Sequence, residues 1–344
     1  MKTLLVGLGN RGTMWAEIIA AHPDVDFAGV MDLDPARLER FAARWPGVPQ
    51  FTDLDAALAG TKADFVTLVT PPDGHLDQAR RIYGAGLALL AEKPLTTEMA
   101  EAVEIVKLAE GHRLPLTVGL NFRYLTVTQA YRNLIASGEL GAPGFGQFVY
   151  LRNRNGYRPG LNRYPLTMRH PMMLEQSIHH LDLMRFVYGR EVEAIACRTW
   201  NPPWSMYAHD ANVNALLTFE GGVEVNYIGT WSSGWNGNDF DWRTDCADGV
   251  IIQRELFEDI AKAKKEDEAL TPVPIAPCEA FKDDTRNLLD AFLAALKAGT
   301  PVPCDGRDHL RTLALCFAGI ESTETGRRVE MAEFYRRHGL EAWI

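Results

Sequence analysis

The 344-residue sequence predicts an α/β fold in two parts: a doubly wound parallel sheet over residues 1–121, and an α+β region with a large, mainly antiparallel open sheet over residues 122–344. Three observations carry this. Short apolar runs alternate with helical stretches as far as Asn121. A glycine-rich loop stands between the first apolar run and the first helix. Beyond Asn121 the pattern turns to strands with alternating inward and outward residues.

The first element is an extended apolar run, Thr3 to Val6, followed by Gly7-Leu8-Gly9-Asn10-Arg11-Gly12. A helix from Thr13 to Ala21 and a second strand from Phe27 to Met31 come next, and that strand ends at Asp32. Gly7 allows a tight turn, Gly9 lets the backbone approach a pyrophosphate, and Gly12 lets helix and strand pack closely. The helix N-terminus offers N–H groups and partial positive charge to phosphates. Asp32 follows Gly12 by twenty residues, where a carboxylate can bond ribose hydroxyls. These residues read as an N-terminal Rossmann dinucleotide-binding domain. Asp32 would repel a 2′-phosphate, which favours NAD, while Arg37 and Arg40 nearby leave NADP open.

The alternation continues with a strand over Ala63 to Val69 ending in Thr70-Pro71-Pro72, and a helix from about Leu76 to Tyr83. The apolar strand Leu87 to Ala91 ends in Glu92-Lys93-Pro94, and a helix from about Thr97 to Gly111 leads to the strand Leu116 to Leu120. Near-continuous apolar strands suit a sheet buried on both faces. Ligands of such sheets bind at the carboxyl ends of the strands. The expected cofactor-binding set is therefore Gly7, Gly9, Asn10, Arg11, Gly12, Asp32, Thr70, Pro71, His75, Glu92, Lys93 and Asn121.

In the second region a helix spans about Thr126 to Ser137 and closes at Gly138. Strands follow at about Phe145 to Asn153, Val192 to Trp200, Asn212 to Phe219 and Val223 to Trp231, the last two joined as a hairpin through Glu220-Gly221-Gly222. Residues 261–273, charged and then proline-containing, read as an exposed connection. Helices near Phe281 to Ala298 and His309 to Thr325 complete the region. Between the first two of these strands, Pro171 to Gly189 reads as a largely apolar, buried helix. On it Glu175, His179 and Asp182 are spaced i, i+4, i+7 and share one face. Three adjacent titratable groups there form a candidate acid/base constellation.

A net charge of −10 argues against non-specific nucleic-acid binding. Five scattered cysteines without a CxxC spacing read as reduced thiols of a cytoplasmic protein, and no metal site is expected. No stretch approaches the roughly 18–20 apolar residues of a membrane span, and the apolar run at the N-terminus is too short for a signal peptide.

The motifs Gly7-Leu8-Gly9-Asn10-Arg11-Gly12, Thr70-Pro71-Pro72, Glu92-Lys93-Pro94 and Ile178-His179-His180-Leu181-Asp182 occur in this order, with Gly141 and the tail Ser322-Thr323-Glu324-Thr325-Gly326. Over nearly its full length the chain resembles the Gfo/Idh/MocA oxidoreductases, named for glucose–fructose oxidoreductase and inositol dehydrogenase. The resemblance implies NAD- or NADP-dependent oxidation of a secondary alcohol of a sugar, cyclitol or sugar acid. It implies Lys93 and His179 as catalytic residues, a cis peptide before Pro94, and a homodimer or homotetramer built through the C-terminal sheet. The family's usual aspartate four residues before the histidine is Glu175 here, a departure at the third catalytic position.

In this scheme His179 is the general base, Lys93 polarises the substrate hydroxyl, and Glu175 orients the imidazole. Asp182 is expected to bind a substrate hydroxyl. Arg152 and Arg163, in a segment that also holds Arg154, Arg158 and Arg169, could grip an acidic substrate or form a solvated charge cluster. Trp200, Trp204, Trp231 and Trp235 could face a sugar ring or serve packing. Two other readings stay open at this stage: a glycosidase-type enzyme using NAD through transient oxidation, and a non-catalytic NAD- or sugar-binding protein.

Overall fold

A computed structural model of the chain describes residues 1–156, 161 and 163–344. It contains two compact units, Met1–Asn121 with Phe281–Leu310, and Phe122–Ala280 with Arg311–Ile344.

The first unit follows the strand–helix alternation: β1 (Lys2–Val6), α1 (Asn10–Ala21), β2 (Asp26–Met31), α2 (Pro35–Arg44), β3 (Gln50–Phe51), α3 (Leu54–Gly60), β4 (Phe65–Leu68), α4 (His75–Gly84), β5 (Ala88–Ala91), α5 (Met99–His112) and β6 (Leu116–Val118). All six strands are parallel, in the order β3-β2-β1-β4-β5-β6. The order reverses direction between β1 and β4, which opens the crevice where ligands of such sheets bind. β4 and β5 are buried at every residue, as their apolar runs require. The Asp34 side chain accepts from Ala36 N at the start of α2, with Pro35 in the first turn, so this helix is both capped and pre-set.

The second unit opens with α6 (Thr126–Ser137), β7 (Pro143–Arg152) and α7 (Ile178–Tyr188). The strands β8 (Val192–Trp200), β9 (Asn212–Phe219), β10 (Val223–Thr230), β11 (Asn238–Cys246), β12 (Gly249–Glu255), β13 (Glu258–Lys264) and β14 (Thr271–Pro272) follow. Then come α8 (Asp283–Ala298), which belongs to the first unit, and α9 (Gly306–Thr325), β15 (Val329–Glu330) and α10 (Met331–Arg337). The sheet order is β14-β13-β12-β11-β7-β10-β9-β8-β15, antiparallel except where β10 runs parallel to β7. Alternation is plain in β10, where Val223, Val225, Tyr227 and Gly229 are buried and the residues between them are not. No helix among the described residues is long and apolar enough to cross a membrane.

Two expectations need correcting. Residues 261–273 are not all connection: β13 pairs with β12, and Thr271–Pro272 adds an edge strand. A single cut after Asn121 also misses α8. Leu289, Phe292 and Leu293 join the core formed by Leu5, Trp15, Ile19 and Phe65, with the rings of Phe65 and Phe292 5.2 Å apart. An amphipathic helix shows in sequence that it must cover a sheet, but not which one.

Candidate functional site

In the first unit the expected cofactor residues fall at one edge of the sheet. Gly7 follows β1, Asp32 follows β2, Thr70 lies past the end of β4, Glu92 and Lys93 follow β5, and Asn121 lies past β6. All are at carboxyl ends of parallel strands. Gly7 has φ +96°, and a Cβ there would sit 2.8 Å from the Val69 carbonyl oxygen. A Cβ on Gly12 would be 2.0 Å from the Gly7 carbonyl oxygen, so both positions require glycine. At Gly9 a Cβ would meet nothing within 4 Å, so that face of the loop is open. No side chain caps the N-terminus of α1 behind it. An open loop with an uncapped helix start fits a pyrophosphate.

Asp32 is 5% exposed. One of its oxygens accepts from Leu8 N at 2.6 Å and the other from Asp34 N at 2.8 Å. The glycine loop therefore orients the carboxylate. Arg37 approaches Asp32 at 3.3 Å and Asp34 at 3.5 Å, so this guanidinium faces two acids.

Several residues of the expected cofactor set spend their polar groups inside the unit. Glu92, 6% exposed, accepts from Arg11 Nε and from Trp15 Nε1, both at 2.7 Å. Burial alone would raise its pKa, but the charge of Arg11, the indole hydrogen bond and the charge of Lys93 bring it below the ordinary carboxylate value. Arg11 also donates to Thr285 Oγ1 at 3.0 Å. His75 is buried, with Nδ1 2.9 Å from the Leu95 carbonyl and Nε2 3.0 Å from the Thr70 carbonyl. Burial lowers its pKa, and a neutral ring donates to one of these carbonyls at a time. Asn121 donates to Asp284, whose carboxyl burial raises to about 6. Thr70 donates to Gln78 Oε1 at 2.6 Å. These contacts build the edge: His75 ties the loop after β4 to the loop after β5, where Lys93 stands half-buried before a cis Lys93–Pro94 peptide.

In the second unit His179 lies in α7, buried, with its ring stacked on Phe122 at 4.3 Å and 21°. Glu175 does not continue the same α-helix. It lies on a π-helical turn, Met172–Ser177, so the i, i+4, i+7 face expected for Glu175, His179 and Asp182 is interrupted. A π-turn runs i→i+5 and shifts each side chain around the axis. His180 is wholly buried, as a structural role requires: Gln176 Nε2 lies 3.1 Å from its Nε2, and Tyr227 OH lies 2.8 Å from its Nδ1. Burial pulls its pKa down to about 3, so it is neutral.

Asp182 departs furthest from expectation. It is 2% exposed and accepts from Arg123 Nε at 2.7 Å, from Arg123 Nη2 at 2.5 Å and from Thr312 Oγ1 at 2.9 Å. Arg185 stands 3.8 Å away, held also by Glu191. Its oxygens are engaged within the unit, which removes the reason for assigning it a substrate hydroxyl. Arg123, its main partner, was not among the expected site residues, because a long-range ion pair leaves no periodic signal. Arg152 is half-buried and donates to Tyr150 OH at 3.5 Å, whereas Arg163 and Arg169 are exposed. Arg158 lies outside the described residues. Trp204 and Trp235 are each 64% exposed, and Trp231 is buried.

Residues 1–120 match the model of an oxidoreductase family with an NAD-binding Rossmann fold, Gfo/Idh/MocA, and residues 128–251 match a C-terminal domain model of the same family. The chain is 28% identical to D-apiose dehydrogenase of Paraburkholderia graminis, covering 96% of this chain and 89% of that protein. It is 24% identical to inositol 2-dehydrogenase of Rhizobium meliloti, over 95% and 98%. An oxidoreductase from Agrobacterium radiobacter, solved with NAD+, L-tartaric acid and magnesium, superposes with a TM-score of 0.87 at 21% identity, over 97% of this chain and 99% of that one.

Proposed function

The chain belongs to the Gfo/Idh/MocA oxidoreductase family, and from that premise we propose that it is an NAD-dependent dehydrogenase oxidising a secondary hydroxyl of a sugar, cyclitol or sugar acid. The observation that carries the reading is the edge of the first sheet, where an open glycine loop, an oriented Asp32 and Lys93 stand at the carboxyl ends of the parallel strands β1, β2 and β5. When bound, NAD supplies the hydride acceptor. Gly7, Gly9, Gly12 and the start of α1 would hold its pyrophosphate, with Asn10, Thr70 and Pro71 beside them, and Asp32 its adenine ribose.

The Lys93 ammonium donates to the substrate oxygen and stabilises the charge that grows on it as the proton leaves. His179 takes that proton. The buried ring stacked on Phe122 presents the imidazole in one orientation, while Glu175, on the π-helical turn before it, does not continue the α-helical face of His179. Arg11, His75, Glu92 and Asn121 act as positioning residues for the loops around Lys93. Asp182 we read as structural.

The outer face of the second sheet, with Phe145 58% and Leu216 42% exposed, supports association of copies of this chain as a homodimer or homotetramer. We place the protein in the cytoplasm.

The reading is tested by incubating the protein with NAD and a panel of polyols, sugars and sugar acids while following NADH absorbance. Substrate-dependent NADH formation supports it. Product without net NADH would point to transient oxidation, and NADH binding without turnover of any panel member would point to a non-catalytic role. A second test concerns Asp32. Asp32→Ala removes a charged ribose acceptor and leaves Arg37 facing the vacated site, so the NAD dissociation constant should rise about tenfold to a hundredfold. NADP should lose less or gain, as read by fluorescence titration with NADH and NADPH. Equal effects on both cofactors would count against ribose recognition by Asp32.

A further inference from the structure

The second unit holds a group of buried donors with nothing to donate to. Arg154 lies two residues beyond β7, and its guanidinium carbon is 4.5 Å from the ring centroid of Trp231, just beyond β10. Trp231 is fully buried, with Tyr207 packed 5.3 Å from it. Among the described residues no carboxylate pairs with Arg154. Arg154 Nε, Trp231 Nε1 and Ser232 Oγ are each shielded from solvent and lack a hydrogen-bond partner.

The backbone around them is satisfied. Trp231 N donates to Ala211 O, Arg154 N donates to Trp231 O, and Trp204 Nε1 donates to Ser232 O. The unmet demand is therefore in the side chains. An N–H of arginine or tryptophan can only donate, and leaving such a group buried and unbonded costs about 1–3 kcal/mol. Two such N–H groups, with the Ser232 hydroxyl beside them, call for an acceptor from outside the chain.

The position suits a substrate. Trp231 continues the inward alternation of β10, four residues beyond Tyr227, whose hydroxyl donates to Ser177 at 2.7 Å. Arg154 lies four residues beyond Tyr150, whose hydroxyl donates to Gln176 at 3.4 Å. Both tyrosines brace the turn that leads into the His179 helix. The donors thus lie on that side of the sheet, about 13 Å further along the strands.

We propose that Arg154, with Trp231 and Ser232, forms a subsite for a substrate carboxylate, so that the enzyme acts on a sugar acid. This rests on the dehydrogenase reading above and narrows its substrate class. One guanidinium stacked on the Trp231 ring balances a single negative charge, whereas a phosphate dianion would leave charge unmatched.

The experiment compares D-gluconate, D-galactonate and D-glucuronate with D-glucose, D-galactose and D-glucose 6-phosphate, in the wild type, Arg154→Gln and Arg154→Lys. Both NADH formation and quenching of tryptophan fluorescence are read. Acids should be preferred in kcat/KM, and Arg154→Gln should cut the acid-over-neutral ratio about tenfold or more, mainly through KM, with partial recovery in Arg154→Lys. Loss of acid and neutral substrates in equal proportion would show that Arg154 only packs against Trp231 and would overturn the proposal. Preference for the phosphate would overturn the carboxylate assignment. Quenching by an acid that Arg154→Gln abolishes, without NADH from any sugar, would uphold the subsite and overturn the dehydrogenase reading. Neither quenching nor turnover with any acid would overturn the subsite.

Discussion

Lys93→Met is expected to lower kcat/KM by about a hundredfold to a thousandfold, the range seen when one preorganised donor to a developing oxyanion is removed. Methionine keeps the length and much of the apolar stem of lysine but cannot donate or carry charge. Removing the proposed base by His179→Ala should cost about a hundredfold to ten-thousandfold and abolish the low-pH fall-off in rate that protonation of an imidazole produces. If the two residues serve one proton transfer, the double variant will be little worse than the poorer single one. Steady-state NADH formation across pH 5 to 9 measures all of this, and near-normal turnover in either single variant would remove that residue from the proposed chemistry.

Asp182→Ala should act on stability rather than on the reaction directly. The carboxylate sits between Arg123 and Arg185 with almost no solvent exposure. Removing it leaves two guanidinium groups without their shared counter-charge, although Arg185 keeps its ion pair with Glu191. Breaking such a buried pair costs about 3–5 kcal/mol. Urea denaturation followed by circular dichroism should show the midpoint falling accordingly. A loss below about 1 kcal/mol would mean that the network is far better hydrated than its burial implies. Asp182→Asn keeps the volume and part of the hydrogen bonding, so it should fall between wild type and Asp182→Ala.

What could be read from sequence follows from how local each signal is. The glycine loop, the helix behind it and Asp32 form one contiguous unit, and their spacing states their purpose. The strands Val192–Trp200 and Asn212–Phe219 stand where period-two alternation puts them. β11 went unread because acidic and polar residues flank Phe240 and Trp242, diluting its apolar signal. The shared face of Glu175, His179 and Asp182 assumed an unbroken 3.6-residue helix, and a single π-turn is enough to undo it. Glu92 and Asn121 stand just past strand ends, as the alternation indicates, and His75 opens α4, but the sequence does not tell a side chain that meets a ligand from one that holds the loop. That distinction depends on Trp15, the Leu95 carbonyl and Asp284, each distant along the chain. For Arg123 and Arg154 the decisive neighbours are likewise far off in sequence.

The return of α8 to the first sheet bears on how the molecule is made. Leu289, Phe292 and Leu293 each bring about 2 kcal/mol of apolar burial to a core whose other members lie within the first ninety residues. A ribosome that has completed β6 has released every strand of that sheet, yet its core stays open until some 170 further residues have emerged. The nascent NAD-binding half must therefore wait, partly uncovered, while every strand of the second sheet except β15 is synthesised. An expression fragment ending at Asn121 would stay in that unfinished condition, exposing to solvent the surface that Phe292 covers.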